Sequence, residues 1–271
     1  KHYPHFEFVE GDLRNFDFCQ QSCKGIDYVS HQAAVGSVPR SIKEPSYTND
    51  VNVGGFVNIL KSAVDNQVKQ FVYASSSSVY GDESTLPKKE ERIGNCLSPY
   101  AVSKRANELY AKVFADGYKF PVVGLRYFNI FGPRQDPDGP YAAVIPLFIK
   151  GIINQAPVYI NGDGEQTRDF TFVENAVQIN VLSMLTENEE AINKVYNVAV
   201  GERFSINYLF SAVKNYLQSN HEASYRDARE GDVRDSLADI SSAKDLLGYN
   251  PDVKFEEGLK ATIEYFKKLY V

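Results

Sequence analysis

The chain has 271 residues, of which 43% are hydrophobic and 24% are charged, and its formal net charge is −6. This composition is typical of a globular protein that buries a large core, and the acidic balance argues against a general nucleic-acid surface. No apolar run approaches the ~20 residues that a membrane-spanning helix needs. We therefore expect neither nucleic acid nor a membrane among its partners.

The cysteines and histidines predict neither a disulfide framework nor a metal site. Cys19, Cys23 and Cys96 are odd in number and form no Cys-x-x-Cys motif, which is typical of reduced thiols in a cytoplasmic protein. The four histidines lack the spacing of metal ligands. We expect a cytoplasmic protein that binds no metal.

The first half of the chain alternates short apolar runs with helical patterns. The apolar runs predict strands at 6–9, 26–31, 71–74 and 121–127. Apolar periodicity and cap residues predict helices at 14–23, 49–66 and 99–117. Repeated strand–helix–strand units predict an α/β fold whose parallel sheet is covered on both faces. Ligands bind such sheets at the carboxyl ends of their strands, so His31, the serine run 75–78 and Asn129 are expected at one edge.

The second half of the chain is less regular. Its apolar runs predict strands at 158–160, 167–172 and 195–198. Its helical patterns fall at 142–153, 173–185, 206–217 and 255–269. A proline- and glycine-rich loop at 132–140 separates the two halves.

Tyr100 and Lys104 are the strongest candidates for chemistry. Ser98 can cap a helix that begins at Pro99, and a spacing of four residues places the phenol and the ammonium on one helix face. A cation beside a phenol lowers its pKa from ~10, so Tyr100 could act as a base near neutral pH. Taken alone, the spacing is more typical of an exposed helix with a packed tyrosine.

The positions of other polar residues make them candidates for contacts with a ligand. The serine run follows a predicted strand and could hold a substrate hydroxyl against Tyr100, although such runs are also typical of polar loops. Asp12 follows a strand and suits either an adenosine group or a simple turn. Arg168 and Arg229 suit diphosphate oxygens, which arginine binds with paired hydrogen bonds, but each alone is more typical of a surface ion pair.

Together these segments resemble the extended short-chain dehydrogenase/reductase family and, within it, the nucleotide-sugar 4-epimerases. The matching segments follow the family's order over nearly the whole chain: GDLRN at 11–15, HQAAVGSVPRS at 31–41, ASSSSVYG at 74–81, SPYAVSK at 98–104, RYFNIFGPRQ at 126–135, YINGDGEQTRDF at 159–170 and REGDVR at 229–234. The resemblance implies a Rossmann-like, doubly wound parallel sheet and a smaller C-terminal α/β domain. It implies NAD on the first domain, at 1–131 and 171–200, and a UDP-sugar on the second, at 132–170 and 201–271.

The resemblance also implies roles for individual residues. Tyr100 takes the proton of the sugar's 4-hydroxyl, Lys104 holds the nicotinamide ribose, and Ser76 hydrogen-bonds the 4-oxygen. The keto-sugar then turns in the pocket, and hydride returns to its opposite face. The residues implied to line the cofactor are Asp12, Leu13, Gln32, Ala33, Ala34, Ala74, Tyr100, Lys104 and Tyr127. Those implied to contact the substrate are Gly36, Ser37, Ser76, Ser77, Ser78, Tyr100, Asn129, Ala143, Val144, Tyr159, Asn161, Arg168, Arg229, Asp232 and Ser236.

Two segments narrow the expected substrate. GSVPRS at 36–41 and PDGPYAAVIP at 137–146 resemble the subgroup that acts on N-acetylated UDP-hexosamines. In that subgroup three small residues surround the sugar, and they correspond to Gly36, Ala143 and Ser236. Epimerases restricted to non-acetylated sugars tend to have a tyrosine at the position of Ser236, where it would fill the volume of an acetamido group. We therefore expect interconversion of UDP-N-acetylglucosamine and UDP-N-acetylgalactosamine.

The family pattern begins with a segment that this sequence lacks. Members start with a strand, a glycine-rich turn and a helix that hold the cofactor's pyrophosphate. By that pattern about 65 residues precede residue 1. We expect the sequence to be a fragment of a longer gene product and, as it stands, to bind NAD poorly.

Two other functions remain open, and the family suggests an assembly. A nucleotide-sugar 4,6-dehydratase or decarboxylase is the nearer alternative, but dehydratases have Thr-Asp-Glu where this chain has Ser76, Ser77 and Ser78. A non-catalytic UDP-sugar-binding protein is the other. Family members dimerise through helices that correspond to 49–66 and 99–117, so we expect a homodimer.

Overall fold

The computed structural model describes residues 3–138, 142–228 and 234–270. Its strands are β1 (Tyr28–His31), β2 (Gln70–Ser76), β3 (Val122–Tyr127), β4 (Ile130–Phe131), β5 (Val158–Asn161), β6 (Thr167–Arg168), β7 (Thr171–Phe172), β8 (Lys194–Val198), β9 (Phe204–Ser205) and β10 (Ala223–Arg226). Its α-helices are α1 (Phe16–Ser22), α2 (Val38–Lys43), α3 (Pro45–Asn49), α4 (Gly55–Asp65), α5 (Pro99–Tyr118), α6 (Val144–Ile153), α7 (Val173–Leu185), α8 (Ile206–Tyr216), α9 (Ser241–Leu247) and α10 (Phe255–Tyr270). A π-helical turn covers Asp50–Gly54, and 3₁₀ turns cover Ser77–Tyr80 and Glu189–Ala191.

Four parallel strands, in the order β1-β2-β3-β8, form the central sheet. Their register pairs His31 with Tyr73, Ser76 with Tyr127, and Tyr127 with Val198. The carboxyl ends of the strands therefore lie along one edge. This architecture confirms the predicted α/β fold with a parallel, Rossmann-like sheet.

Helices cover both faces of this sheet because successive side chains of a strand point to opposite sides. On one face, Phe71 belongs to a buried cluster with Phe56 of α4 and Phe114 of α5. On the other face, the neighbouring Val72 belongs to a cluster with Ile179 of α7. Each face of β2 is thus buried, as its continuous apolar sequence predicts.

A third buried cluster lies among α6, α8 and α10 and shares none of its buried residues with the other two. The division into 1–131 with 171–200 and 132–170 with 201–271 stays a prediction, since this third cluster also contains Phe131 and Phe172. Ala238 and Tyr249 nevertheless pack in the sheet cluster of Val72, so the C-terminal part also contacts the sheet. In the described ranges no helix combines the length and the hydrophobicity that crossing a bilayer would need.

Some predicted elements differ from those observed. The strand prediction at 6–9 is wrong: these residues form no strand, and Phe6 and Phe8 are 72% and 75% exposed. An apolar run becomes a strand only where a neighbouring strand pairs with its backbone. The predicted strand at 167–172 is interrupted at Asp169 and Phe170, which leaves the two-residue strands β6 and β7. Helices α2, α3 and α9 and strands β4, β9 and β10 correspond to no predicted element.

Helix α5 begins and ends as its sequence predicts. The Ser98 hydroxyl accepts a hydrogen bond from the amide of Ala101 at 3.1 Å, and Pro99 occupies the first turn, where its missing N–H has no helical partner. The helix ends before Lys119, whose φ of 54° is left-handed. These boundaries place Tyr100 and Lys104 in the first two turns, beside the end of β2.

Candidate active site

Lys104 is buried at the carboxyl edge of the sheet. It is 2% exposed, and its Nζ donates a hydrogen bond of 2.9 Å to the carbonyl oxygen of Ala74. Burial disfavours the charged form and lowers the pKa of Lys104 to about 8. This bond holds the lysine head group next to the last residues of β2.

Tyr100 lies one turn earlier on α5, with its phenol beside the side chain of Ser76. Burial raises the pKa of Tyr100 above its ordinary value, although the Ser76 hydroxyl acts in the opposite direction. The expected lowering of this pKa by Lys104 is therefore wrong for the structure as it stands. Burial dominates, and the ammonium is directed to the carbonyl of Ala74. A further positive charge near the phenol is needed to make Tyr100 a base at neutral pH.

The serine run forms a tight turn over the end of β2. The Ser76 hydroxyl accepts a hydrogen bond from the amide of Ser78 at 3.1 Å, which starts the 3₁₀ turn Ser77–Tyr80. Within the described part of the chain, the Ser78 hydroxyl is buried and has no hydrogen-bond partner. A buried hydroxyl without a partner is unfavourable, so Ser78 is suited to bind a polar group of a ligand.

A cavity of about 240 Å³ lies beside this turn. The predicted substrate residues that line it are Ser77, Ser78, Asn129, Arg168 and Ser236. The lining residues that sequence reasoning missed are Val38, Tyr80, Gly81, Lys88, Leu97, Ser98, Ala101, Phe128 and Asp235. These residues come from segments far apart in the sequence, so no local pattern could have gathered them.

Backbone pairing joins the two segments that carry Arg168 and Ser236. The amide of Ser236 donates to the carbonyl of Thr167 at 3.1 Å, and Arg168 Nη1 donates to the carbonyl of Arg234 at 3.0 Å. Arg168 and Ser236 therefore lie on neighbouring backbone segments at one wall of the cavity. The other predicted residues of this region, Arg229 and Asp232, lie outside the described residues.

Eight further substrate predictions within the described residues do not line this cavity: Gly36, Ser37, Ser76, Tyr100, Ala143, Val144, Tyr159 and Asn161. Ser37 caps α2 by accepting a hydrogen bond from the amide of Arg40 at 3.3 Å. Ala143 and Val144 form the start of α6. Tyr159 and Asn161 lie on β5, where Arg226, a residue missed from the sequence, stacks on the tyrosine ring and donates to the amide oxygen of Asn161 at 2.6 Å. Their contacts with a substrate remain predictions.

Two predicted cofactor residues, Gln32 and Tyr127, are hydrogen-bonded to Asn180, a residue that the sequence analysis does not identify. Asn180 of α7 donates to the Tyr127 hydroxyl at 2.6 Å and accepts a hydrogen bond of 2.9 Å from the Gln32 amide. Burial raises the pKa of Tyr127 to about 12, which keeps its hydroxyl protonated. Ala33 and Ala34 follow Gln32 and are exposed, so their backbone is open to close approach.

The residues predicted at the adenine end have hydrogen-bond partners within the protein. The Asp12 carboxylate accepts hydrogen bonds from Arg14, including one of 2.6 Å from Nη2, and these lower the pKa of Asp12 to about 2. The carbonyl of Leu13 accepts a hydrogen bond of 2.9 Å from Asn58 of α4. Their role at adenine therefore remains a prediction.

The carboxyl edge of the sheet suits the nicotinamide half of a dinucleotide. Lys104 is a buried hydrogen-bond donor, and Gln32 and Tyr127 form a polar network around Asn180. The small side chains of Ala33 and Ala34 leave room for a ligand beside the backbone. Such a donor set fits the ribose and carboxamide groups of NAD.

Comparisons with known proteins agree with this geometry. The family model of the NAD dependent epimerase/dehydratase family matches residues 1–199. A putative UDP-glucose 4-epimerase from Methanocaldococcus jannaschii is 38% identical over 267 residues, which make up 97% of this chain and 85% of that protein.

Two solved structures are similar over most of their length. A UDP-N-acetylglucosamine 4-epimerase from Methanobrevibacter ruminantium, in complex with UDP-N-acetylmuramic acid, is 42% identical with a TM-score of 0.91, over 96% of this chain and 83% of that one. A UDP-glucose 4-epimerase from Thermotoga maritima, with UDP-glucose, is 35% identical with a TM-score of 0.92, over 97% of this chain and 84% of that one. The chain therefore belongs to the NAD-dependent epimerase/dehydratase family and is an enzyme that uses NAD.

Proposed function

We propose that the chain is a UDP-sugar 4-epimerase that interconverts UDP-N-acetylglucosamine and UDP-N-acetylgalactosamine, with UDP-glucose and UDP-galactose as further candidates for the same pocket. One observation carries the proposal: the phenol of Tyr100 lies beside the side chain of Ser76 at the end of β2. Two neighbouring hydroxyl groups can both bond a single substrate oxygen. A secondary alcohol bound between them can lose its proton to one while the other orients it.

Each residue of this group then has a distinct task. Ser76 donates a hydrogen bond to the sugar's 4-oxygen, and Tyr100 takes its proton and later returns it. Lys104, held by the carbonyl of Ala74, would hold the nicotinamide ribose. NAD, when bound, would supply the hydride acceptor and a positive charge. Because burial raises the pKa of Tyr100, a positive charge beside the phenol would favour its ionised form.

The choice of an N-acetylated sugar rests mainly on Ser236. This residue is 9% exposed and lines the cavity, where its small side chain leaves space that a larger one would fill. Because protein interiors are closely packed, a larger side chain at this position would exclude an acetamido group from the pocket. The similarity to a UDP-N-acetylglucosamine 4-epimerase supports the same substrate class.

The lining of the cavity favours epimerisation over dehydration. Elimination of water needs an acid and a base on the sugar, and the serine run supplies neither a carboxyl group nor an imidazole. The lining includes one carboxylate among the described residues, that of Asp235, and its Oδ1 accepts a hydrogen bond of 2.6 Å from Thr167. A proton shuttle for elimination is therefore less well supported than a simple alcohol–ketone exchange.

Turnover assays test the proposal. The complete gene product is incubated with NAD and UDP-N-acetylglucosamine, and the products are separated by chromatography. We expect UDP-N-acetylgalactosamine from the wild type and a loss of roughly 100-fold or more in kcat for Tyr100→Phe. Tyr118→Phe, an exposed tyrosine on the same helix, is the matched control and should leave turnover unchanged. A 4-keto-6-deoxy product would instead support a dehydratase, and binding without turnover would support a binding protein.

A further inference from the structure

Asp169 is a buried carboxylate that the reaction above does not use. It lies between β6 and β7 and is 0% exposed. Its Oδ1 accepts a hydrogen bond of 3.1 Å from the amide of Val200, and its Oδ2 accepts bonds of 3.1 and 3.3 Å from the amides of Gly201 and Ala238. Across the described ranges it forms no ion pair, so backbone amides are what hold this carboxyl group in place.

The three amides belong to two different segments. Val200 and Gly201 follow β8 of the central sheet, whereas Ala238 lies two residues after Ser236. Asp169 itself comes directly after Arg168. The side chain of Asp169 therefore joins the end of the sheet to the segments of Arg168 and Ser236, which carry predicted substrate contacts.

Further hydrogen bonds make this region a single unit. The carbonyl of Asp169 accepts a bond of 3.2 Å from the side-chain amide of Asn129, another residue of the cavity. The Thr167 hydroxyl donates to Asp235 at 2.6 Å, and the Ser236 amide donates to the carbonyl of Thr167 at 3.1 Å. A displacement of Asp169 would thus move several lining residues together.

We propose that Asp169 is a positioning residue for the nucleotide-sugar, holding the segment of Asp235 and Ser236 and the side chain of Arg168 in register with the end of the sheet. The proposal rests on the proposed function, since it assumes that this wall of the cavity binds the substrate. Asp169 acts through these neighbours, because three backbone amides occupy its carboxylate. Its loss should therefore weaken substrate binding more than it slows the chemical step at Tyr100 and Ser76.

Replacing Asp169 by asparagine removes one acceptor without changing the size of the side chain. The amide offers one oxygen and one NH₂ group, whereas both carboxylate oxygens accept backbone hydrogen bonds. In either orientation, at least one of the three backbone amides would face a donor instead of an acceptor. The segment of Ala238 or the end of β8 must then shift.

Thr171 provides a matched control. It lies two residues away on β7, is 0% exposed, and its hydroxyl has no hydrogen-bond partner within the described residues. Thr171→Val keeps the shape of this side chain and breaks no hydrogen bond that the structure shows. It tests whether any change in this buried strand disturbs the cavity.

The experiment uses the complete gene product and compares the wild type, Asp169→Asn and Thr171→Val. Calorimetry gives the Kd for UDP and for UDP-N-acetylglucosamine, steady-state assays with NAD separate KM from kcat, and hydrogen exchange follows the amides of Val200, Gly201 and Ala238. For Asp169→Asn we expect Kd and KM to rise about 10-fold, kcat to change less than about 3-fold, and the three amides to exchange faster, as the loss of one buried hydrogen bond implies. Thr171→Val should match the wild type in all three measurements.

Each contrary result has a clear meaning. Unchanged Kd and KM in Asp169→Asn, or a fall in kcat alone, would overturn the positioning role. Wild-type protein that binds UDP but converts no sugar would overturn the proposed epimerase while leaving the comparison of Kd values to decide the role of Asp169. Wild-type protein that binds no UDP would overturn both.

Discussion

Glu108 and Arg126 form a bidentate ion pair in the interior, with Nε and Nη2 of the arginine 2.8 and 3.0 Å from the two carboxylate oxygens. Both side chains are 2% exposed. Burial alone would raise the pKa of Glu108, but hydrogen bonds from Arg126 and the arginine's charge outweigh it and lower that pKa. Ser75 also donates to this carboxylate, at 2.6 Å. The pair therefore fixes α5, one turn beyond Lys104, against the strands that end in Ser76 and Tyr127.

Removing the charge of Glu108 should destabilise the protein strongly. Glu108→Gln leaves the guanidinium of Arg126 buried without a counter-ion, and breaking such a pair costs about 3–5 kcal/mol. Urea unfolding measures the change. Asp116→Asn on the same helix is the control: it removes an exposed pair with Lys112 at 3.2 Å and should cost less than about 1 kcal/mol. Equal losses in the two variants would contradict this account.

Replacing Lys104 by methionine should stabilise the fold while it abolishes turnover. The pKa of Lys104 is about 8 in the folded protein and ~10.4 in an unfolded chain, so the unfolded state binds more protons between these values. Wild-type stability is therefore lowest below pH ~8 and rises toward pH ~10. Lys104→Met lacks this dependence. The increase in its free energy of unfolding over the wild type should be greatest at pH 7. There it should be roughly 1–3 kcal/mol once the lost hydrogen bond to Ala74 is subtracted, and it should shrink by pH ~9.5. Urea unfolding at both pH values checks it, and a constant difference would count against it.

Local signals were enough to predict most of the fold. The Ser98–Pro99 start of α5 and the apolar run of β2 depend on neighbours in the sequence, and both lie where predicted. The run Phe6–Val9 has equally strong local signals but forms no strand, because pairing depends on a partner strand that a local pattern does not specify.

The residues missed in the site depend on distant partners. Asp169 bonds amides 31 and 69 residues away, and Asn180 joins residues 53 and 148 positions away. The sequence around each gives no sign of these contacts. The pKa of Tyr100 was mispredicted for a related reason: the spacing to Lys104 places two groups on one helix face but does not reveal how deeply the phenol is buried.

Asp169→Asn should show an effect on stability that depends on pH. Burial raises the pKa of Asp169 to about 7, backbone hydrogen bonds oppose this, and the carboxylate of Glu202 adds to it. Tyr249 lies close enough for the charge of Asp169 to add to the effect of burial in raising the pKa of that tyrosine. Because an unfolded carboxyl titrates near ~3.9, the folded state binds more protons between pH ~4 and ~7, and wild-type stability falls across that window as pH rises.

The variant lacks this titration, so its destabilisation relative to the wild type should be larger at pH 5 than at pH 8. The destabilisation at pH 5 should exceed that at pH 8 by a few kcal/mol. Its upper limit is roughly 4 kcal/mol, which corresponds to a pKa shift of about three. Unfolding in urea at the two pH values measures it, with Thr171→Val as the control that should show no such change. The same loss at both pH values would show that Asp169 does not titrate in this range.

An exposed apolar stripe on α5 supports the proposed homodimer. Val102, Leu109 and Val113 are 55%, 53% and 63% exposed and lie along one side of the helix. Glutamates at Leu109 and Val113 would place charge on this surface and should convert a dimer into a monomer of half its mass. Light scattering gives the mass. Leu269→Glu, equally exposed on α10, should leave it unchanged. A monomeric wild type would refute the proposed assembly.

Substitution of Ser236 should change the preference between sugars. A tyrosine there would occupy part of the cavity of about 240 Å³ that we assign to the acetamido group. We expect Ser236→Tyr to lower kcat/KM for UDP-N-acetylglucosamine at least 10-fold relative to that for UDP-glucose, since steric exclusion from a packed pocket commonly costs 1–3 kcal/mol or more, that is, ~10- to 200-fold. Assays of both substrates with one enzyme preparation make the ratio independent of the active fraction. If both values fall together, Ser236 borders a part of the cavity that the two sugars share, and the acetamido group lies elsewhere.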